Sequence, residues 1–168
     1  MLCFWPCAGQ AAGKSETIEL QSILFSRCVR SRQTAEPQDL WPTRVVNVKI
    51  RRLGETVSGE YQETDTACKQ TFGKSFEWTS RQFEQAKAGL QKAGLHDGMV
   101  ALSESSGNDL PVSFLKVQSR GLTGEIYTMY LRFRWAGKMS TENPEAAILD
   151  EWRSLLKQAA VQVGSDVE

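Results

Sequence analysis

The stretch RVVNVKIRRLGETVSGEY, residues 44–61, decides the fold class. Val46, Val48 and Ile50 alternate with Asn47, Lys49 and Arg51, the period-two pattern of a strand with one buried face. Leu53-Gly54-Glu55 is a turn, and Val57, Gly59 and Tyr61 carry the alternation back along a returning strand. Strands joined by so short a turn are antiparallel.

Downstream, Thr79 and Gln82 have the spacing of a capping box, and Phe83, Ala86, Leu90 and Ala93 recur at helical spacing before Gly94 ends the run. Leu95-His96-Asp97-Gly98 is a turn, and Met99 to Leu102 is a short apolar stretch. After a polar loop, Val112, Phe114 and Val117 suggest a strand that Gly121 to Gly124 turn back. Tyr127, Met129, Leu131, Phe133 and Trp135 then form the apolar face of a long antiparallel strand, with Thr128, Tyr130, Arg132 and Arg134 on its second face. That polar face reads as the wet side of a one-sided sheet or as a recognition surface. Asn143-Pro144 opens a last helix, whose buried face is Ile148, Trp152, Leu155, Leu156, Ala159 and Val163 and whose end is Gly164. Upstream, the apolar positions of Ile18 to Val29 fit a strand and a helical face equally well. The expected class is α+β, an antiparallel β-sheet with two helices packed on one face.

Composition sets the function classes. The chain has 168 residues, 40% of them hydrophobic and 24% charged, with a formal net charge of zero. That suits one globular domain and gives no whole-molecule field for nucleic acid or an anionic membrane. Residues 1–52 hold eight Lys/Arg against four acids, leaving twelve against sixteen in the remainder. Such an asymmetry suits a protein partner, although solvated charge is its plainer meaning.

The uncharged opening MLCFWPCAGQAAG reads as the remnant of a signal peptide over residues 1–12, with a single mature domain over 13–168. Its apolar run is too short to cross a bilayer, so no stable membrane insertion is expected. The implied location is outside the cytoplasm, in an exported compartment. If Cys3 and Cys7 leave with the signal, Cys28 and Cys68 remain as an even pair suited to a disulfide; two unrelated buried thiols are the alternative.

No catalytic centre is legible, and no cofactor, metal or enzymatic role is expected. Ala8 to Ser15, AGQAAGKS, imitates a phosphate-binding loop, but that chemistry needs a parallel strand before it and a helix after it. His96, the single histidine, reads as a turn residue with Asp97 poorly placed to orient it. The acidic pairs Glu60/Glu63 and Asp150/Glu151 fall where solvated charge is expected. Trp78 and Trp41 suit core packing or partner anchoring, and Trp135 and Trp152 suit the core. The segment singled out for function is Ser103-Glu104-Ser105-Ser106-Gly107-Asn108-Asp109, small and polar between apolar stretches. It reads as a protruding finger that enters a protein cleft, or as a plain solvent loop.

With that export signal, mature size, cysteine pair and polar loop, the chain resembles the periplasmic immunity proteins that protect bacteria against type VI secretion amidases. The resemblance implies an inhibitor that occludes the cleft of a peptidoglycan-cutting Cys-His amidase. It implies that Ser105 and Ser106 approach the partner's catalytic pair, while Glu104, Asn108 and Asp109 hydrogen-bond the cleft rim. Other classes make different demands: a lysozyme inhibitor needs a similar loop, a small ligand-binding protein a deep apolar pocket, and a nucleotide-binding protein a phosphate loop before a helix.

Overall fold

A computed structural model describes residues 15–24, 26–30, 43–102, 113–128 and 144–167. In chain order its elements are β1 (Glu16–Leu24), α1 (Arg27–Arg30), β2 (Arg44–Leu53), β3 (Thr56–Asp65), β4 (Gln70–Trp78), α2 (Ser80–Lys92), β5 (Met99–Leu102), β6 (Ser113–Ser119), β7 (Leu122–Thr128) and α3 (Pro144–Val163). The strands form one seven-stranded sheet in the order β4-β3-β2-β1-β6-β7-β5. All neighbours are antiparallel except β5 and β7, which run parallel. The architecture is α+β, as the periodicity predicts.

The 44–61 hairpin forms as read, with Lys49 opposite Glu60 and Ile50 opposite Gly59. Its turn passes through Gly54, whose φ of +62° is cheap only for glycine. The ambiguous segment from Ile18 resolves as strand through Leu24, because β1 lies between β2 and β6 and gains a ladder on both sides. Helix α2 begins with the capping box: the Gln82 N–H donates to the Thr79 hydroxyl (3.2 Å) and the Thr79 N–H to the Gln82 side chain (2.8 Å). Both helices end in the same motif. Leu95 and Gly94 N–H groups reach the Leu90 and Gln91 carbonyls, and Ser165 and Gly164 N–H groups reach Ala160 and Val161, with each glycine at positive φ.

Helices α2 and α3 cover one face of the sheet. Phe83, Ala86 and Leu90 from α2 join Ile148, Trp152, Leu155, Leu156, Ala159 and Val163 from α3 over Ile18, Leu20, Val46, Val48, Ile50, Tyr61, Leu115, Val117, Leu122 and Ile126. Trp152 is fully buried, and its indole N–H donates to the Ser22 hydroxyl on β1 at 3.2 Å, giving the polar end of a large apolar side chain a partner. Trp78 is a core residue as well. Trp41 and Trp135 lie outside the described residues.

The structure adds two strands to the sequence reading and corrects it at two points. Strand β4 carries no expectation in the sequence, since its first six residues are exposed on both faces. The turn expected over Gly121 to Gly124 is tighter and earlier: β7 starts at Leu122. The stretch Met99 to Leu102 is a parallel edge strand. Finally, the facing of β7 is inverted. Leu122, Gly124, Ile126 and Thr128 point to the helix-covered side, and Tyr127 points to the open side. The tight turn sets this register, and Gly124 is buried beneath Leu95, where a Cβ would lie 2.8 Å from Leu95 Cδ1. The continuation of that strand, Met129 to Trp135, is outside the described residues.

Candidate partner-binding face

The two ends of the sheet differ in chemistry. One end gathers the close of β1, β3 and β7 with the start of β2, β4 and β6. Here Cys28 and Cys68 are joined by a disulfide, with Cα atoms 5.6 Å apart. Asp65 organises the bridge: its carboxylate accepts from the Ser26 hydroxyl (2.9 Å), the Cys68 N–H (3.1 Å) and the Arg27 N–H (3.1 Å). Burial pushes the Asp65 carboxyl up, but these donors together outweigh it and hold it below its ordinary value.

Beside it lies a buried ion pair. Arg44, 1% exposed, donates from Nε to Glu63 Oε1 at 2.8 Å and from Nη2 to Oε2 at 3.1 Å, the forked geometry of a bidentate pair. The Tyr61 hydroxyl and the Ser165 hydroxyl also donate to Glu63, at 3.0 and 3.1 Å. Arg44 and Arg27 both donate to the Asp166 carbonyl and so tie the segment after α3 to this end. Burial raises the Glu63 carboxyl, and the hydrogen bond and charge of Arg44 bring it below the usual range. Burial likewise raises the Tyr61 phenol, with the Glu63 charge adding to it. Glu63 is therefore not the solvated acid its neighbour Glu60 suggests. Alternation puts residues 60 and 63 on opposite faces, and the buried series Val57, Gly59, Tyr61 continues through Glu63 and Asp65. Following that parity would have found it.

On the open face, away from the helices, the registers assemble a row that sequence reading cannot see. Ser75 on β4 lies opposite Glu60 on β3, which lies opposite Lys49 on β2 and then Glu19 on β1; Glu19 faces Lys116 on β6, then Glu125 on β7 and Val100 on β5. The charges alternate in sign over five strands. Lys49 reaches Glu19 at 2.5 Å and Lys116 reaches Glu125 at 3.7 Å. Opposite charges across strands contribute about 0.2–1 kcal/mol per pair. The row sets three acids against two lysines, so most of its charge is paired and one net negative charge remains.

The next row toward the disulfide end is aromatic. Gln21 lies opposite Phe114, Phe114 opposite Tyr127, and Tyr127 opposite Leu102. The two rings are 6.4 Å apart, and the Lys116 ammonium sits 5.4 Å from the Phe114 centroid and 5.5 Å from that of Tyr127. The hydrogen bond with Tyr127, with the Glu125 charge, raises the Lys116 ammonium above its ordinary value. The Tyr127 hydroxyl donates to Glu125. A shallow groove of about 180 Å³ between Asn47, Lys49, Glu60, Gln62 and Phe114 continues this surface.

At the other end of the sheet a wide cleft of about 1050 Å³ opens between α2 and the hairpin turns. Its walls are polar and internally paired. Glu16 accepts from the Arg120 N–H and the Ser119 hydroxyl, both at 2.7 Å, Arg52 bridges Glu16 and Glu84, and Lys87 donates to the Arg120 carbonyl (2.6 Å). Burial raises the Glu16 carboxyl, and these donors and cations bring it below its usual value. This is not the deep apolar pocket expected of a small ligand-binding protein.

The singled-out segment Ser103 to Asp109 lies outside the described residues, as do residues 1–14. Its flanks are placed. Leu102 ends β5 and Ser113 begins β6, both at the disulfide end, and both adjoin Tyr127 and Phe114. His96 is a turn residue: its Nδ1 lies 3.3 Å from the Asp97 carbonyl, while the Asp97 carboxylate accepts from the Thr123 N–H (2.8 Å). The strand β1 directly follows Ser15, so the segment after Gly13-Lys14-Ser15 is not the helix that a phosphate loop requires. Among the described residues no group of three His, Cys, Asp or Glu converges as a metal site, and no helix is long and apolar enough to cross a membrane. In comparisons with known proteins, no family model, no curated protein and no solved structure matches the chain.

Proposed function

We propose that the protein is an extracytoplasmic inhibitor that binds a cell-wall hydrolase and occludes its cleft, as an immunity protein of the type VI amidase kind does. The observation that carries this reading is the placement of the loop stems. Leu102 and Ser113 leave the sheet beside the Phe114–Lys116–Tyr127 cluster, at the end stapled by Cys28–Cys68 and the Arg44–Glu63 pair. The stems fix where the segment leaves and rejoins the sheet, and a half-exposed tyrosine beside them is the kind of side chain that anchors interfaces. The charge row beneath them is nearly balanced, three acids against two lysines, so it repels a partner of either sign only weakly.

The contact surface comprises Ser103 to Asp109 with Phe114, Lys116 and Tyr127, and Ser105 and Ser106 stand nearest the partner's catalytic pair. The disulfide supports an oxidising compartment, consistent with a periplasmic location. A Phe114→Ala/Tyr127→Ala variant and a variant with residues 103–109 replaced by a Gly/Ser linker test the surface. Each is expected to weaken binding to a captured hydrolase at least tenfold while the free protein still folds with a single cooperative thermal transition. Full affinity in both variants would overturn the assignment of this surface.

A further inference from the structure

Edge strands expose unpaired backbone groups, and natural proteins blunt them with prolines, bulges, short length or charge. Strand β4 has few of these devices. It is 9 residues long, contains no proline, and holds an unbroken register with β3 from Val57–Trp78 to Asp65–Gln70. No described strand pairs with its outer side. Its lysine, Lys74, does not project off the edge: its ammonium turns toward the Val163 carbonyl at the end of α3 (3.4 Å). Phe72 is 38% exposed, its ring held edge-on to Tyr61 at 6.0 Å. The opposite edge, β5, is only 4 residues long.

We propose that the outer edge of β4 pairs with β4 of a second copy of this chain, antiparallel and centred on Gly73. Opposed residues in an antiparallel pair share a face, so a symmetric pair must be centred on a residue, and the sequence discriminates among the centres. Centring on Lys74 opposes the two lysines, which is unfavourable. Centring on Ser75 sets Lys74 against Phe76 and Phe72 against Trp78, both already buried in their own subunit. It also runs the pairing into Thr79, the cap of α2. Centring on Gly73 sets the apolar stem of Lys74 against the exposed Phe72 twice, with its ammonium still turned to the Val163 carbonyl, and Thr71 against Ser75 twice. It keeps the contact within residues 70–76. The glycine pair at the axis leaves the backbones free to approach, and a Cβ at Gly73 would meet nothing closer than the Tyr61 carbonyl at 3.9 Å. The product is one sheet continuous across two subunits, with the Phe114–Tyr127 end at both extremes and free to bind partners.

Thr71 and Ser75 are exposed on the open face, so their substitution tests the register without touching the core. Sedimentation equilibrium of the full chain with its disulfide intact is expected to show a concentration-dependent dimer. Thr71→Lys/Ser75→Lys opposes lysine to lysine at both contacts and is expected to raise the dimer dissociation constant at least tenfold. Thr71→Lys/Ser75→Glu opposes lysine to glutamate and is expected to restore dimerisation to the wild-type level or better. Far-UV circular dichroism confirms that each variant is folded. A wild-type chain that stays monomeric to millimolar concentration would overturn the proposal. So would a Lys/Lys variant that dimerises normally, or a Lys/Glu variant as weak as Lys/Lys.

Discussion

At Glu63 the fold depends on a charge taken out of water. Arg44 is almost fully buried, and Glu63 is its carboxylate partner. Removing one member of such a pair leaves the other desolvated and uncompensated, at a cost of about 3–5 kcal/mol. Glu63→Gln is therefore expected to lower the unfolding free energy by an amount in that range, measured by urea denaturation, whereas Glu60→Gln on the open face changes it by less than about 1 kcal/mol. The pH dependence has a definite sign. Glu63 and Asp65 titrate below their ordinary values in the folded chain, so on acidification the unfolded chain takes up protons first. The stability they contribute is complete above the ordinary carboxylate pKa of about 4 and is lost as the pH falls through the lower folded values. Unfolding free energy should be level near neutrality and fall below that point, less steeply in Asp65→Asn; a profile flat into strong acid would contradict the role given to both groups. Gly59 offers a steric test. Its Cβ would lie 2.2 Å from the Phe76 ring, so Gly59→Ala must displace a buried aromatic and should lower the melting temperature clearly, while the exposed Gly54 turn carries no such contact.

At the scale of elements, the disulfide joins α1 to the β3–β4 connection across 40 residues. Closing a loop of that length stabilises by about 4 kcal/mol on the chain-entropy account. Cys28→Ser/Cys68→Ser should lose most of that in denaturant titrations and should free the end of the sheet from which residues 103–112 depart. Hydrogen exchange is then expected to quicken at Ser26 to Arg30 and around Asp65 before it does in β1 or β2. The legibility of each element follows its burial. The 44–61 hairpin and both helices were readable because one face of each is consistently apolar. Strand β4 was not, because an edge strand exposed on both sides carries no alternation, and because Lys74 occupies a position on the helix side. The facing of β7 misled because Tyr127 and Thr128 look like core and surface respectively, whereas the turn at Arg120-Gly121 fixes the opposite register. The charge row from Glu60 to Glu125 was illegible in principle. Each member looks like a solvated charge until pairing of five strands brings them into line.

For the whole molecule, the sheet separates two kinds of end. The hairpin end is a polar cleft whose charges are already spent on one another, around Glu16, Arg52 and Lys87. The opposite end is covalently and ionically tied, and it bears the stems of the polar segment 103–109 beside two half-exposed aromatics. That division is what the proposed inhibitor role rests on: a fixed base and an aromatic shoulder beside the points where the polar segment leaves and rejoins the sheet. The most direct measurement of it is inhibition of cell-wall hydrolysis. The disulfide-bonded chain is used to capture partners from periplasmic extract, and the captured hydrolase is assayed on purified peptidoglycan with increasing amounts of the chain. The account predicts a one-to-one titration of the hydrolytic activity to near zero, abolished when residues 103–109 are replaced by a Gly/Ser linker. Capture of no hydrolase, or of one whose activity the chain leaves untouched, would contradict it.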